Sequence, residues 1–151
     1  MSQTKNLESR KKEGDNNNTL LKVDNLWKSY GDLQVLEGVS FDLTDGEDIV
    51  LIGPSGCGKS TLLRCIMGIT EIDQGKMTFQ GKPYIQADEN GWNIDKDTKK
   101  EFSMVFQHYN LFPHLSVLDN CTLAPTKVLG VDESEAEKKA KGYLKRVGLK
   151  D

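Results

Sequence analysis

The fold is decided by the stretch Gly53-Pro54-Ser55-Gly56-Cys57-Gly58-Lys59-Ser60, which is followed by Thr61. It matches the pattern G-x-x-x-x-G-K-[ST] at every fixed position. Glycines let a backbone wrap closely round an anion in conformations that a β-carbon disfavours, and successive amide N–H groups then point inward as a nest. The stretch therefore predicts a loop that binds the phosphates of a nucleotide, and all nine residues are candidate binding residues.

Both flanks of this loop suit the prediction. Ile49-Val50-Leu51-Ile52 is a continuous apolar run, short enough to be a parallel strand buried on both faces. The residues from Lys59 to about Ile69 are predicted to form a helix, whose positive N-terminal end favours an anion. The buried stripe of that helix is expected to consist of Leu62, Leu63, Cys65, Ile66 and Ile69.

Three side chains of the loop have separate expected roles. Lys59 places a positive charge on the β- and γ-phosphates, and Ser60 offers its hydroxyl to Mg²⁺. ATP and Mg²⁺ are therefore the expected cofactors. Cys57 is a small filler within the loop, but a thiolate is favoured at a helix N-terminus, so this cysteine is expected to be reactive.

Periodic patterns predict further elements around the loop. One half-buried strand begins near Leu20, a second spans Val35 to Leu43, and a short third contains Met77 and Phe79. Residues 84–100 are polar and are predicted to form a solvent-facing loop. The inward positions of the first two strands are expected to be Leu21, Val23, Leu26, Val39, Phe41 and Leu43.

The last third of the sequence alternates between an apolar run and helical patterns. Met104-Val105-Phe106 is predicted to be buried and to end at Gln107. Ser116, with an aspartate three residues later, is typical of a capping box that opens a short helix. Pro125 is expected to end or kink that helix, and Asp132 is expected to cap a final one.

Composition narrows the class of protein. A length of 151 residues suits one domain, and a net charge of −3 gives no electrostatic reason to expect nucleic-acid binding. No stretch approaches the ~20 apolar residues of a membrane span. Three cysteines without a secretory signal fit a reducing cytoplasm. Residues 1–19 are polar and aperiodic and are predicted to be a disordered leader.

Several short motifs occur outside the loop, and their order and spacing are typical of a single protein family. They are Leu26-Trp27-Lys28-Ser29-Tyr30-Gly31, Val35-Leu36-Glu37-Gly38-Val39-Ser40-Phe41, Asp73-Gln74-Gly75, Met104-Val105-Phe106-Gln107 and Asn110-Leu111-Phe112-Pro113-His114-Leu115. From about residue 20 to residue 151, the sequence resembles the ATPase subunits of ABC transporters. The resemblance implies that Tyr30 stacks on adenine and that Gln107 contacts Mg²⁺ or the attacking water. The alternatives are that Tyr30 only packs on the β-subdomain and that Gln107 is a surface glutamine.

The segment Thr122-Leu123-Ala124-Pro125-Thr126-Lys127-Val128-Leu129 looks like the branch of that family that energises uptake of polar amino acids. The resemblance implies an α/β fold with a P-loop parallel-sheet core, an antiparallel β-subdomain and an incomplete α-helical subdomain. It also implies two ATPase subunits that sandwich ATP, with membrane permease subunits docking near Gln107. The protein would then lie on the cytoplasmic face of the membrane.

Part of the family's chemistry does not occur in this sequence. After residue 110 we find neither a Leu-Ser-Gly-Gly-Gln-type signature nor a following apolar strand that ends in Asp-Glu, and the switch histidine is also absent from the sequence. Residues 20–151 are therefore expected to be an ATP-binding domain truncated before the signature, with little hydrolysis alone. The alternatives are a non-catalytic nucleotide-binding fragment with no transport role and a small-molecule kinase. The kinase interpretation leaves Tyr30 and residues 104–115 unexplained.

Overall fold

A computed structural model describes residues 18–89 and 91–149. The chain divides into two compact units, the first ending at Met104 and the second beginning at Val105. Most of the predicted leader, residues 1–17, lies outside the described residues, and the first strand already begins at Thr19. No helix in the described ranges is long and apolar enough to cross a membrane.

The first unit is built on a five-stranded antiparallel sheet. Its strands are β1 (Thr19–Tyr30), β2 (Leu33–Thr44), β3 (Gln74–Phe79), β4 (Lys82–Asp88) and β5 (Gly91–Ile94). They lie in the order β2-β1-β3-β4-β5. A turn at Asp45-Gly46 follows β2, and Gly46 adopts a φ of 77°.

Strand β1 forms the centre of the core because its apolar residues face α1 (Lys59–Ile66) and the neighbouring strands. Leu21, Val23 and Leu26 are buried, as predicted. Their spacing changes from two to three residues because Asn25, with a φ of 51°, interrupts the pairing register with both neighbouring strands. The irregularity keeps Leu26 on the core face after the strand has bent.

The prediction of a polar loop over residues 84–100 is wrong. This segment contains most of β4, all of β5 and the short helix α2 (Lys96–Lys99). Tyr84 and Ile85 are adjacent and both buried, because Met77 pairs with Ile85 while Thr78 pairs with Pro83, which leaves Tyr84 as an extra residue in the ladder. This break in alternation conceals the strand from a search for period-2 patterns.

The apolar run before the phosphate loop does not form the predicted parallel strand. Among the described residues no ladder includes Ile49 to Ile52, and the side chain of Ile52 is 91% exposed. A parallel strand obtains its hydrogen bonds from neighbouring strands, and every ladder described in this chain is antiparallel. Leu51 alone of the run packs against the core.

Helix α1 begins at Lys59 as predicted and ends at Ile66, three residues before the predicted end. Leu62 and Cys65 are buried and Ile66 is partly buried against the same cluster. Leu63 and Ile69 are exposed, so the buried face of α1 is narrower than predicted.

The second unit contains α3 (Val117–Lys127) and α4 (Glu133–Arg146), which pack on each other. Ser116 and Asp119 form the predicted capping box, and Asp132 caps α4 through the amides of Ser134 and Glu135. Pro125 lies within α3, which continues for two residues beyond it and ends at Lys127.

The prediction that the apolar run at residues 104–106 is buried is wrong for Val105 and Phe106. Val105 is 97% exposed, Phe106 is also exposed, and neither joins a ladder among the residues that the structure describes. The reason is the same as for the run before the phosphate loop: an apolar sequence supplies side chains, whereas a buried strand also requires paired neighbours.

Gly75 provides a test of the packing between β1 and β3. Its φ is 107°, and a β-carbon there would lie 2.4 Å from the carbonyl oxygen of Asn25. We expect Gly75→Ala to lower the free energy of unfolding by about 3 kcal/mol or more, since backbone strain and a clash with main chain combine. Urea denaturation followed by circular dichroism measures this. Gly81→Ala is the control, with a φ of 75° and open space around the added carbon; its cost should be about 1 kcal/mol. Equal losses of unfolding free energy in the two variants would contradict the close contact between Gly75 and the main chain of Asn25.

Candidate functional site: a phosphate-binding loop

The loop from Gly53 to Gly58 leads directly into α1 and takes its shape from two glycines. Gly56 has a φ of 82° and Gly58 a φ of 93°, both in the left-handed region that favours glycine. Gly58 is also the N-cap of α1 and supplies no side-chain oxygen to the first turn. The amides of that turn therefore have no capping side chain and are available to an anion.

Gly58 has a second constraint, because strand β2 passes directly behind it. A β-carbon at this position would lie 3.0 Å from the carbonyl oxygen of Val35 and 3.1 Å from Cδ2 of Leu36. Gly58 is itself buried. The absence of a side chain thus allows the loop to approach the sheet as well as to turn.

Lys59 occupies the mouth of the loop. Its Nζ donates hydrogen bonds to the carbonyl oxygens of Gly53 at 2.8 Å and Pro54 at 2.7 Å, and it lies 3.5 Å from Sγ of Cys57. The partners of this ammonium group are main-chain dipoles and a thiol, so its charge is not neutralised by a carboxylate there. A cavity of about 420 Å³ borders the loop and is lined by Ser55, Gly56, Gly58, Lys59, Ser60 and Thr61.

The shape and charge of this loop fit a nucleoside triphosphate with Mg²⁺. The helix N-terminus and the lysine provide the positive potential that phosphates require. Ser60, the second residue of α1, is exposed at the cavity and offers a hydroxyl of the kind that Mg²⁺ accepts. The structure thus brings together Ser55, Gly56 and the run from Gly58 to Thr61 at one cavity, with Gly53, Pro54 and Cys57 in contact with Lys59 or its neighbours.

Tyr30 ends β1 in the same unit, and its side chain is 49% exposed. The ammonium group of Lys28 lies over its ring, 5.5 Å from the centroid, a distance at which a cation and an aromatic face attract. Tyr30 pairs with Leu33 across the turn into β2, and β2 contacts the phosphate loop at Val35 and Leu36. The hairpin of β1 and β2 therefore connects Tyr30, the candidate residue for stacking on adenine, to the phosphate-binding loop.

An ion pair next to Tyr30 was not found from the sequence. Asp73 accepts a hydrogen bond from Nζ of Lys28 at 2.8 Å and another from the amide of Ser29 at 2.6 Å. Burial disfavours the charge of Asp73, but the hydrogen bonds from Lys28 and Ser29 outweigh it and hold the pKa of this carboxyl below its ordinary value. The sequence offered only the motif Asp73-Gln74-Gly75, since the partners lie more than forty residues away.

Gln107 belongs to the second unit, where its side chain is exposed. Asn120 fixes the segment that follows Gln107. Its side chain accepts a hydrogen bond from the amide of Phe112 and donates to the carbonyl oxygens of Phe112 and Ser116. No group of three or more His, Cys, Asp and Glu residues suited to a metal ion occurs in residues 18–89 and 91–149. The proposed Mg²⁺ ligands Ser60 and Gln107 remain predictions.

A sequence profile of the ABC transporter family matches residues 36–151. The chain is 46% identical over 132 residues to an uncharacterized amino-acid ABC transporter ATP-binding protein, YhdZ, of Escherichia coli K12, covering 87% of this chain and 51% of that protein. It is 43% identical over 124 residues to the glutamine transport ATP-binding protein GlnQ of Geobacillus stearothermophilus, covering 82% of this chain and 50% of that protein. The chain thus spans about half the length of the curated relatives it matches.

Solved structures of ABC-family proteins resemble this chain in fold. The ATP-binding cassette MJ0796, dimeric and bound to ADP and phosphate, superposes with a TM-score of 0.69 at 29% identity, covering 87% of this chain and 59% of that one. CbiO1 of Clostridium perfringens, part of the ABC transporter complex cbiONQ, gives a TM-score of 0.64 at 27% identity, with coverage of 88% and 52%. These neighbours confirm the predicted P-loop α/β fold class, of which this chain shows a fragment.

The exposed Cys57 thiol should report occupancy of the loop. We expect maleimide modification of Cys57 to abolish Mg-ATP binding and bound ATP to slow the modification, because its sulfur lies beside Lys59. Mass spectrometry of timed samples measures the rate. The Cys121→Ser background removes the other exposed thiol, and burial raises the pKa of Cys65 to about 11, which keeps it an unreactive thiol. Equal rates with and without ATP would refute the expectation.

Asp73 should give the fold a characteristic pH dependence. A carboxyl with a depressed folded-state pKa stabilises the fold above its unfolded pKa of about 3.9, and this stabilisation is lost as the pH falls through the folded value. We expect Asp73→Asn to lower the free energy of unfolding by roughly 1 kcal/mol at pH 7. The difference from the parent should shrink when denaturation is repeated from pH 5 downward past 3.9. A difference that stays constant over that range would show that ionisation of Asp73 is not involved.

Proposed function

The chain belongs to the ABC transporter family, among its amino-acid transport ATP-binding proteins, and from that premise we propose that it is the ATP-binding part of an ATPase subunit that energises uptake of a polar amino acid. The observation that carries the proposal is the loop at the start of α1, with left-handed Gly58 packed on β2 and Lys59 at its mouth. The branch is supported by relatives whose names specify glutamine transport and, in GltL of Escherichia coli, glutamate/aspartate import.

The residues divide the work of binding. The amides from Gly56 to Ser60 surround the phosphates, and Lys59 exchanges its carbonyl partners for phosphate oxygens. Ser60 would hold Mg²⁺, which when bound would offset the charge of the phosphates. By the family resemblance, Tyr30 would stack on the adenine and Gln107 would contact the metal or the attacking water.

The partners proposed for the whole protein follow its family. A second ATPase subunit would face the P-loop, and support comes from a neighbour of this fold that is a dimer. Permease subunits would dock near Gln107, with the ATPase on the cytoplasmic face of the membrane. We propose no nucleic-acid partner, because the net charge of −3 gives no electrostatic basis for one.

Hydrolysis requires more than the phosphate loop. Phosphoryl transfer depends on several groups that position and stabilise the reacting atoms together. The 151 residues contain the loop and the candidate Mg²⁺ ligands Ser60 and Gln107, but no signature motif. The Asp88-Glu89 pair lies at the end of β4, a strand with antiparallel neighbours, and does not line the cavity at the loop. We therefore propose that these residues bind Mg-ATP and turn it over little by themselves.

Calorimetric binding of Mg-ATP, with phosphate release recorded on the same samples, tests the proposal. We expect the 151-residue chain to bind Mg-ATP and Lys59→Ala to lose at least tenfold in affinity, since removal of a charged hydrogen-bond donor to phosphate costs about 1.5–3 kcal/mol. Neither protein should release phosphate above background.

Lys145→Ala provides the matched control, because Lys145 is an exposed lysine in the last turn of α4. Its affinity for Mg-ATP should equal that of the parent. Affinity independent of Lys59 would refute the assignment of the loop. Phosphate release that disappears in Lys59→Ala would mean that the chain contains a catalytic carboxylate outside the expected pattern.

A further inference from the structure

We propose that Asp73 is a positioning residue for adenine: through Lys28 and Ser29 it holds the Tyr30 ring in the orientation that stacks on the base. The inference rests on the proposed function, because it specifies how the same nucleotide site reads the base as well as the phosphates. It assigns a binding role to the ion pair of Lys28 and Asp73, which lies beside the aromatic ring.

Asp73 ties down the backbone that leads into Tyr30. Its carboxylate accepts from the Ser29 amide at 2.6 Å, and its own amide donates to the carbonyl oxygen of Trp27 at 2.9 Å. The aspartate is itself fixed, since the preceding residue, Ile72, is buried in the core. Consecutive residues before Tyr30 are thus held by one residue from the turn that leads into β3.

The carboxylate also sets the position of a cation against the ring. Lys28 has only 12% of its side chain exposed, and its Nζ contacts Asp73 at 2.8 Å while lying 5.5 Å from the Tyr30 centroid. Asp73 therefore places the ammonium group over one face of the ring, which is favourable for a cation and an aromatic system. A base can then stack only on the face that Lys28 leaves free.

The same hairpin relates the ring to the phosphate loop. Tyr30 pairs with Leu33, and Val35, two residues or about 7 Å further along β2, lies against Gly58. A ring held in one orientation meets the base without losing further rotamer freedom on binding. Loss of Asp73 frees the ring and should weaken recognition of the base, while the phosphate loop, held by its own contacts with β2, keeps its shape.

The experiment compares a ligand with a base and one without. Binding of Mg-ATP and of Mg-tripolyphosphate is measured by calorimetry for the parent, Tyr30→Ala, Asp73→Asn and the double variant. We expect Tyr30→Ala to lower ATP affinity about tenfold, as for loss of one base-stacking contact, and Asp73→Asn about fivefold. Tripolyphosphate affinity should change less than twofold in each. In the Tyr30→Ala background, Asp73→Asn should add less than twofold.

Asp24→Asn is the matched control, since it removes the carboxylate of another ion pair of β1, with Lys76 at 3.4 Å. It should leave both affinities within twofold of the parent. If Asp73→Asn does not fold, Lys28→Met carries the test with the same expectation, because it removes the ammonium from the ring and leaves the bond between Ser29 and Asp73 in place.

Two results would overturn the inference. Equal losses for ATP and tripolyphosphate would mean that Asp73 supports the phosphate loop, and an unchanged ATP affinity would mean that it does not position the ring. Failure of the proposed function is distinguishable from both, because a parent chain that binds neither ligand, or binds both independently of Lys59, lacks the phosphate site itself.

Discussion

The close approach of Gly58 to the main chain of Val35 is the constraint on which the site depends. A β-carbon would meet a carbonyl oxygen at 3.0 Å, and the backbone there has a φ of 93°, so two independent requirements select glycine. The contact sets where α1 begins, because Gly58 is its N-cap. It also fixes the loop against β2, and through β2 against the hairpin that carries Tyr30.

The sheet serves mainly to hold this hairpin in place. Strand β1 is buried at Leu21, Val23 and Leu26, and it bends at Asn25 where the pairing register breaks. Beyond that bend its last residues leave the core, so Tyr30 is half exposed while Lys28 beside it is nearly buried. An irregular strand thus supplies both a core and an exposed aromatic ring at the end of one element.

The errors of sequence interpretation share one physical cause. Ile49 to Ile52 and Met104 to Phe106 have the composition of buried strands, yet ladder hydrogen bonds come from neighbouring strands and not from the run itself. In the opposite direction, Tyr84 and Ile85 lie in a strand that the pattern conceals, because an extra residue in the ladder breaks the alternation. Composition predicts which residues favour burial, whereas pairing decides whether they form a sheet.

The sequence by itself determined the phosphate loop, the start of α1 at Lys59, both helix caps in the second unit and the family. These features depend on residues within a few positions of one another, where glycine conformation and capping side chains act locally. Only the tertiary structure decided the contact of Gly58 with β2, the strands β4 and β5, and the pairing of Asp73 with Lys28 and Ser29. The contacts of Gly58 and of Asp73 join residues distant in the chain, and no local pattern encodes those partners. The strands β4 and β5 pair with sequence neighbours, but the extra residue Tyr84 breaks the alternation by which they could have been predicted.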